Sequence, residues 1–171
     1  VVAWNDPGIQ DFHNMNWSSN NPMLIGLYAR SFYIITLCNE FIRESSDAKL
    51  TDRNLSAADK ELVKTMRAEA RFVRAFQYWV LMDLYGNPGY VTEETSIGAG
   101  VRPQQIKRAD LFAYVEKELK EVEALLPAAK GNQSGRADNA GAQALLARMY
   151  LNAGVYTGAA KWAEASSYAK K

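Results

Sequence analysis

The stretch Glu69-Ala70-Arg71-Phe72-Val73-Arg74-Ala75-Phe76-Gln77-Tyr78-Trp79, running on to Leu84-Tyr85-Gly86-Asn87-Pro88, constrains the fold more than any other part of the chain. Its second half is almost wholly apolar and aromatic, and Gly-Asn-Pro then ends it, because glycine and proline punctuate a helix. A helix of that composition is central and packed from several sides. It opens at Ser56, with Asp59 three positions on as in a capping box, so it runs on the order of 30 residues, or ~45 Å. Leu62, Met66, Ala70, Val73 and Val80 mark one apolar stripe, and Phe72, Phe76, Trp79 and Met82 a neighbouring one. Arg67, Arg71, Arg74 and Tyr78 line a separate edge suited to ion pairs with other helices.

The rest of the chain is also helical in pattern. Residues 1–21 read as a loop, with Pro7, Gly8, five Asn and two Trp. A first helix starts near Pro22 and ends near Glu44, its face marked by Leu24, Leu27, Tyr28, Ser31, Ile35, Cys38 and Ile42. Asn39 on that face reads as a buried amide bonded to a neighbouring backbone. Residues 45–55 read as a polar loop, and Tyr90-Val91-Thr92 as one short extended piece in the Gly- and Pro-rich segment 86–102. A third helix over roughly 103–126 carries Leu111, Phe112, Val115, Leu119, Val122 and Leu126 on its apolar stripe and stops at Pro127. Its alternating charges, Glu116, Lys117, Glu118, Lys120, Glu121 and Glu123, read as a solvated face. After the connector 131–135, a helix over about 138–153, capped by Asp138 and ended by Gly154, pairs with another that starts after Thr157. Small residues in this hairpin resemble a tetratricopeptide repeat, which needs neighbours to bury its faces. The architecture expected is therefore all-α: three long helices with loops over 22–126 and a repeat-like hairpin over 136–171.

Composition narrows the function. With 171 residues and 48% hydrophobic content, the chain can bury one core. Lys and Arg number 20 against 19 Asp and Glu, which provides no basic field for nucleic acid or a membrane surface. No apolar run approaches the roughly 20 residues that span a bilayer. The first residue is Val1, with no charged start before an apolar run, so the sequence reads as a processed or trimmed piece without a signal peptide. The helix at Lys171 has no stop signal, so the natural protein is expected to continue. The single cysteine, Cys38, allows no internal disulfide and reads as a small buried hydrophobe; lipidation would need a small residue before it, where Leu37 stands. One histidine, no Cys–His cluster, no phosphate loop and no nucleophile elbow leave catalysis and cofactors without support. The exception in kind is the N-terminal segment. Trp4, Asp11, His13, Asn14, Trp17 and Asn21 crowd together there, and a sugar site uses that mixture: a flat aromatic against a pyranose face, amides and carboxylates on the hydroxyls. Loop tryptophans also plug domain edges, so both roles stay open.

Four segments, in order, resemble SusD/RagB proteins. They are Phe32-Tyr33-Ile34-Ile35-Thr36-Leu37-Cys38-Asn39-Glu40-Phe41-Ile42; the stretch from Glu69 to Pro88; Val115, Glu118-Leu119, Val122 and Leu126-Pro127; and Gly135-Arg136-Ala137-Asp138 with Ala142 and Ala144-Leu145-Leu146-Ala147-Arg148-Met149-Tyr150-Leu151. One departure is Pro88, which follows Asn87 directly. The resemblance implies the N-terminal portion of a SusD-like protein, with the C-terminal part absent. It implies no enzyme and no cofactor, but capture of an oligosaccharide or polysaccharide at the outer face of the outer membrane. The partner implied is a SusC-like TonB-dependent transporter, and the membrane link a lipid anchor absent from this chain. Two alternatives stay beside it: peptide or glycopeptide cargo, and a tetratricopeptide-type interaction scaffold.

Overall fold

The computed structural model describes residues 6–96, 98 and 102–171. Eight helices and one two-stranded ribbon make up these residues. Helix α1 is Ile9–His13, α2 Pro22–Glu44, α3 Asp47–Asp52, α4 Ala57–Tyr85, α5 Arg108–Glu123, α6 Asn139–Leu151, α7 Ala153–Thr157 and α8 Trp162–Ala169. Strands β1, Gly89–Tyr90, and β2, Gln104–Gln105, pair antiparallel, Gly89 with Gln105 and Tyr90 with Gln104.

Local chemistry sets the ends. Asn21 Oδ1 accepts from the amides of Met23 (2.9 Å) and Leu24 (3.4 Å), and Pro22 fills the first helical position without an amide to satisfy. Ser56 Oγ accepts from the Asp59 amide at 3.2 Å and donates to the Asp59 carboxylate at 2.7 Å. Asp138 caps α6 through the Gly141 amide at 3.1 Å. Helix α4 stops at Gly86, whose φ of 76° an L side chain rarely adopts.

Helix α4 is the middle of the molecule, with α2 against one flank and α5 against the other. Helix α6 packs on α5 and pairs with α8 as the expected hairpin. The exit segment after Gly86 folds back beneath α2 and α4. There the Tyr78 hydroxyl donates to the Val91 carbonyl (2.6 Å) and accepts from the Val91 amide (2.8 Å), while Asn39 Nδ2 donates to the same carbonyl (3.2 Å). The buried amide expected at position 39 is therefore realised. Cys38 is buried, and burial pushes its thiol up despite nearby Arg74, so no thiolate is favoured there.

Three expectations fail in instructive ways. The loop expected over residues 1–21 contains α1, and the loop over 45–55 contains α3. The charges of α5 are not all solvated: Glu118 is 6% exposed and takes both Arg71 (Nη2 to Oε1, 2.6 Å) and Arg74 (Nη2 to Oε2, 2.8 Å). The apolar stripes of α4 hold only in part. Met82 is buried and Phe72 and Trp79 pack on the core as expected, but Leu62 is 50% exposed and Val73 and Phe76 over a third, while Arg74 (1% exposed) and Tyr78 lie innermost with Ala68, Ala75 and Leu81. The ion pairs expected for the arginine edge explain why that edge faces inward. Arg74 also donates to Asn39 Oδ1 (2.7 Å) and pairs with Glu93, so its charge is matched from α2, α5 and the exit segment together.

Candidate glycan groove

Of the residues singled out in the sequence, Asp11, His13, Asn14, Trp17 and Asn21 are described, and Trp4 lies outside the described residues. Two of them form a clasp. Asn21, 2% exposed, donates from Nδ2 to the Gly8 carbonyl (2.9 Å) and to Asp11 Oδ2 (2.8 Å), while its Oδ1 caps α2. Gly8 is fixed by this contact, since a Cβ there would stand 2.7 Å from Asn21 Nδ2. The clasp binds α1 to the start of α2 and spends the side chains of Asp11 and Asn21 on the protein itself. His13 and Asn14 stand exposed at the end of α1.

Trp17, 47% exposed, leans on Phe12 with ring centroids 5.7 Å apart at 39°. It borders an open groove of about 940 Å³ between the α1–α2 segment and the C-terminal end of α4, with Leu24, Ile25, Tyr28, Asp83 and Leu84 also on its walls. The volume falls in the range of small-ligand sites, roughly 300–1,000 Å³. Ile25 and Leu84 are exposed beside Trp17, an apolar grouping of the kind that marks a binding surface. Polar groups punctuate it. Asp83 Oδ1 accepts from the Tyr156 hydroxyl at 2.7 Å; burial and then that bond push the Tyr156 phenol up to about 12, so it stays a donor. The Tyr85 hydroxyl donates to the Leu24 carbonyl (2.6 Å), and Tyr28 Oη accepts from the Gly89 amide (3.2 Å). Ser18 and Ser19 complete the polar edge.

The arrangement can hold a ring by its flat face and bond its hydroxyls. Away from the groove, on α5, burial would raise the carboxyls of Glu116, Glu118 and Glu123, but their Lys, Arg, Tyr or Gln partners hold all three below the usual carboxylate range. Among the described residues no group of three or more His, Cys, Asp and Glu is placed to hold a metal, and no helix is long and apolar enough to cross a membrane.

Sequence reasoning reached the Trp17 side of the groove and missed the α4 side. Asp83, Leu84 and Tyr85 lie within the stretch read as core, over 60 positions from Trp17. The one available signal was Asp83 itself, a carboxylate interrupting an apolar run next to the helix end.

A family profile described as starch-binding and associating with the outer membrane matches residues 11–151. The starch-binding protein SusD of Bacteroides thetaiotaomicron is 34% identical over 170 residues, which is 99% of this chain and 28% of SusD. The crystal structure of a SusD-like carbohydrate-binding protein from Bacteroides fragilis superposes with a TM-score of 0.71 at 25% identity, covering 90% of this chain and 28% of that one. Surface glycan-binding protein A from Bacteroides uniformis shares the fold, with a TM-score of 0.71 at 23% identity over 98% of this chain and 36% of its own. This chain thus spans under a third of the length of SusD. With the family match, the identity to SusD and the helical scaffold in agreement, the chain belongs to the SusD-like family.

Proposed function

We propose that this chain is the N-terminal portion of a non-catalytic protein that captures glycans at the outer face of the outer membrane. In this reading a lipid anchor tethers the whole protein, and a SusC-like TonB-dependent transporter receives the cargo. The observation that carries the reading is Trp17, half exposed on a segment that the Asn21 clasp holds rigid, in a chain of a family described as starch-binding. Preorganised aromatics lose little on binding. Among the candidate side chains, His13 and Asn14 are exposed at the end of α1 but do not line the groove that Trp17 borders, and Trp4, outside the described residues, is a candidate by its sequence alone. Asp11 and Asn21 shape the segment that presents them.

Affinity electrophoresis of the purified protein through gels containing soluble polysaccharides tests this. Retardation by one glycan class is expected, weakened by Trp4→Ala or Trp17→Ala. Migration unchanged by every polysaccharide would replace glycan with peptide or glycopeptide cargo. Co-purification of the anchored, whole protein with a TonB-dependent transporter tests the partner.

A further inference from the structure

We propose that α2 and α4 together form a docking face for one amphipathic helix, supplied by the part of the protein outside this chain, with an apolar seam and a carboxylate set against Arg30. The inference rests on the reading above in one respect, that this chain is the N-terminal portion of a longer protein. It does not depend on the cargo.

Each helix carries a second seam besides the one it turns to the core. On α4 it runs Val63, Met66, Ala70, Val73, Gln77 and Val80, and on α2 Met23, Leu27, Arg30, Ile34, Leu37 and Phe41. The spacings alternate between three and four, the period with which one helix packs along another. None of the apolar members belongs to the core or to the side chains packed on it. Leu37 is 53% exposed, Phe41 40%, Leu27 38% and Val73 37%. The two seams share one side of the pair. The exit segment meets α2 at Asn39 and Arg43, and α4 at Arg74 and Tyr78. At about 100° per residue, both seams lie across the plane of the two helices from those positions. Helix α4 reaches α5 through Arg71, and α6 through Phe72 at Gly141 and Trp79 at Arg148, so neither neighbour covers the seam. The strip from Val63 to Val80 is ~27 Å long, the length of a helix of about 18 residues.

Composition and charge identify the occupant. Along both seams stand one charge, Arg30, and one amide, Gln77. A surface so poor in charge has the make-up of a permanent interface, not of one that opens and closes in water. A permanent occupant in the same polypeptide is held at high effective concentration. The relatives have chain enough to supply one: this chain spans 28% of SusD and 28% of the Bacteroides fragilis structure. Arg30 sets the register. It is exposed and pairs with no carboxylate among the described residues, whereas Arg67, Arg71 and Arg74 on the inner side of α4 all do. A helix laid along both seams brings Arg30 into apolar contact, where its charge needs an Asp or Glu opposite.

Cysteine accessibility in the whole protein, produced without its lipid anchor, provides the test. Leu37→Cys and Val73→Cys report on the face, and Lys117→Cys on a site of α5 whose side chain is 74% exposed. The unsubstituted protein, with Cys38 buried, is the blank. Maleimide labelling at positions 37 and 73 is expected to run about a hundredfold slower than at 117, in a protein that light scattering shows to be a monomer, and urea should abolish the difference. Arg30→Glu should speed labelling at 37 about tenfold or more, as the loss of a buried charge partner does, whereas Lys117→Glu should not. Circular dichroism spectra that match the parent show each variant folded. p-Benzoylphenylalanine in place of Leu37, irradiated, should link to one segment beyond Lys171 that has the same three-and-four apolar spacing and an acid in register with Arg30. Labelling at 37 and 73 as fast as at 117 overturns the inference. So does protection that is lost on dilution of a dimer, which gives the face to a second copy, and so does a link to a segment within residues 1–171 or to one without that spacing. A natural protein that ends at Lys171 brings down the N-terminal-portion reading as well. Glycan retention, measured separately, judges the capture reading whichever way the labelling falls.

Discussion

Around Arg74 the molecule buries charge, and around Trp17 it exposes apolar surface. The first region joins Arg71 and Arg74 of α4, Asn39 of α2, Glu118 of α5 and Glu93 of the exit segment into one network. The two helices that flank α4 and the exit segment all contribute to it, so a slipped register would strand a charge, although Nε of Arg74 is itself buried without a partner. The second region is held by a short clasp, Gly8–Asn21–Asp11, and leaves Met15, Trp17, Ile25 and Leu84 facing solvent. The comparison separates two uses of side chains. Buried polar groups here fix which fold forms, and exposed apolar groups are what remains for something else to touch.

The largest test of this contrast is Arg74→Met. Removing the guanidinium leaves Glu118 with one buried partner fewer, takes the ion-pair partner from the partly exposed Glu93 and strands the Asn39 side-chain carbonyl oxygen. Breaking a buried pair by deleting one side costs about 3–5 kcal/mol. For a chain of this size the melting temperature should fall by roughly 2–4 °C per kcal/mol. Urea denaturation measures it; a loss under about 1 kcal/mol would show that the network adds little.

Acid should attack the same region more gradually. Burial alone would raise the Glu118 carboxyl, but Arg71 and Arg74 hold it below its ordinary value. A carboxylate depressed in the folded state contributes stability above its unfolded value, near pH 4.3, and that contribution disappears as pH falls through the folded value. Stability should therefore be level above about pH 5 and decline below it. Glu118→Gln should start lower at neutral pH and decline less steeply. A residual slope is expected, because Glu116 and Glu123 are held low too. Parallel declines in the two proteins would remove Glu118 from the acid response.

How much of this was legible in the sequence differs between the two regions. Helix starts were legible because their causes are local: Asn21 before Pro22, Ser56 before Asp59 and Asp138 before Gly141 are neighbours in the chain. The helical hairpin and the family resemblance were legible for the same reason, as motifs of adjacent residues. The ion network was only half legible. Arg67, Arg71, Arg74 and Tyr78 stand at spacings of four, three and four, and Leu111, Val115, Glu118 and Val122 at four, three and four. Glu118 thus occupies an apolar stripe, the mark of a buried charge, but the arginine that makes burial possible lies 44 positions earlier. Helix α1 was hidden by its brevity, five residues behind a glycine cap. The far wall of the groove was hidden because Asp83, Leu84 and Tyr85 sit at the end of an apolar run that reads as core throughout, and the segment they face lies over 60 positions earlier.

A smaller effect probes the presentation of Trp17. Met15 follows the end of α1 in the left-handed region, φ 53°, at the position where glycine or asparagine usually ends a helix. It is 77% exposed. Met15→Gly should relieve the backbone and raise stability by about 0.5–1 kcal/mol. If Met15 serves the groove, the same variant should bind glycan more weakly while melting higher. A variant that melts higher and binds unchanged would confine Met15 to the turn.

The smallest effect on stability is expected at Leu84, and that makes it the sharpest probe of the comparison. Leu81, one turn earlier on the same helix, is fully buried, whereas Leu84 is 55% exposed on the groove wall. Leucine and glutamine have similar helix propensities, so Leu84→Gln changes polarity without disturbing α4. Surface substitutions of this kind stay within about 0.5 kcal/mol. In this chain Leu84 stands exposed beside Trp17 and Ile25, so its removal is expected to cost almost nothing here. A change in glycan retention without a change in melting temperature would mean that the side chain is held out for a ligand. A loss of several kcal/mol would instead mean that Leu84 packs as Leu81 does, and the groove would be closed in solution.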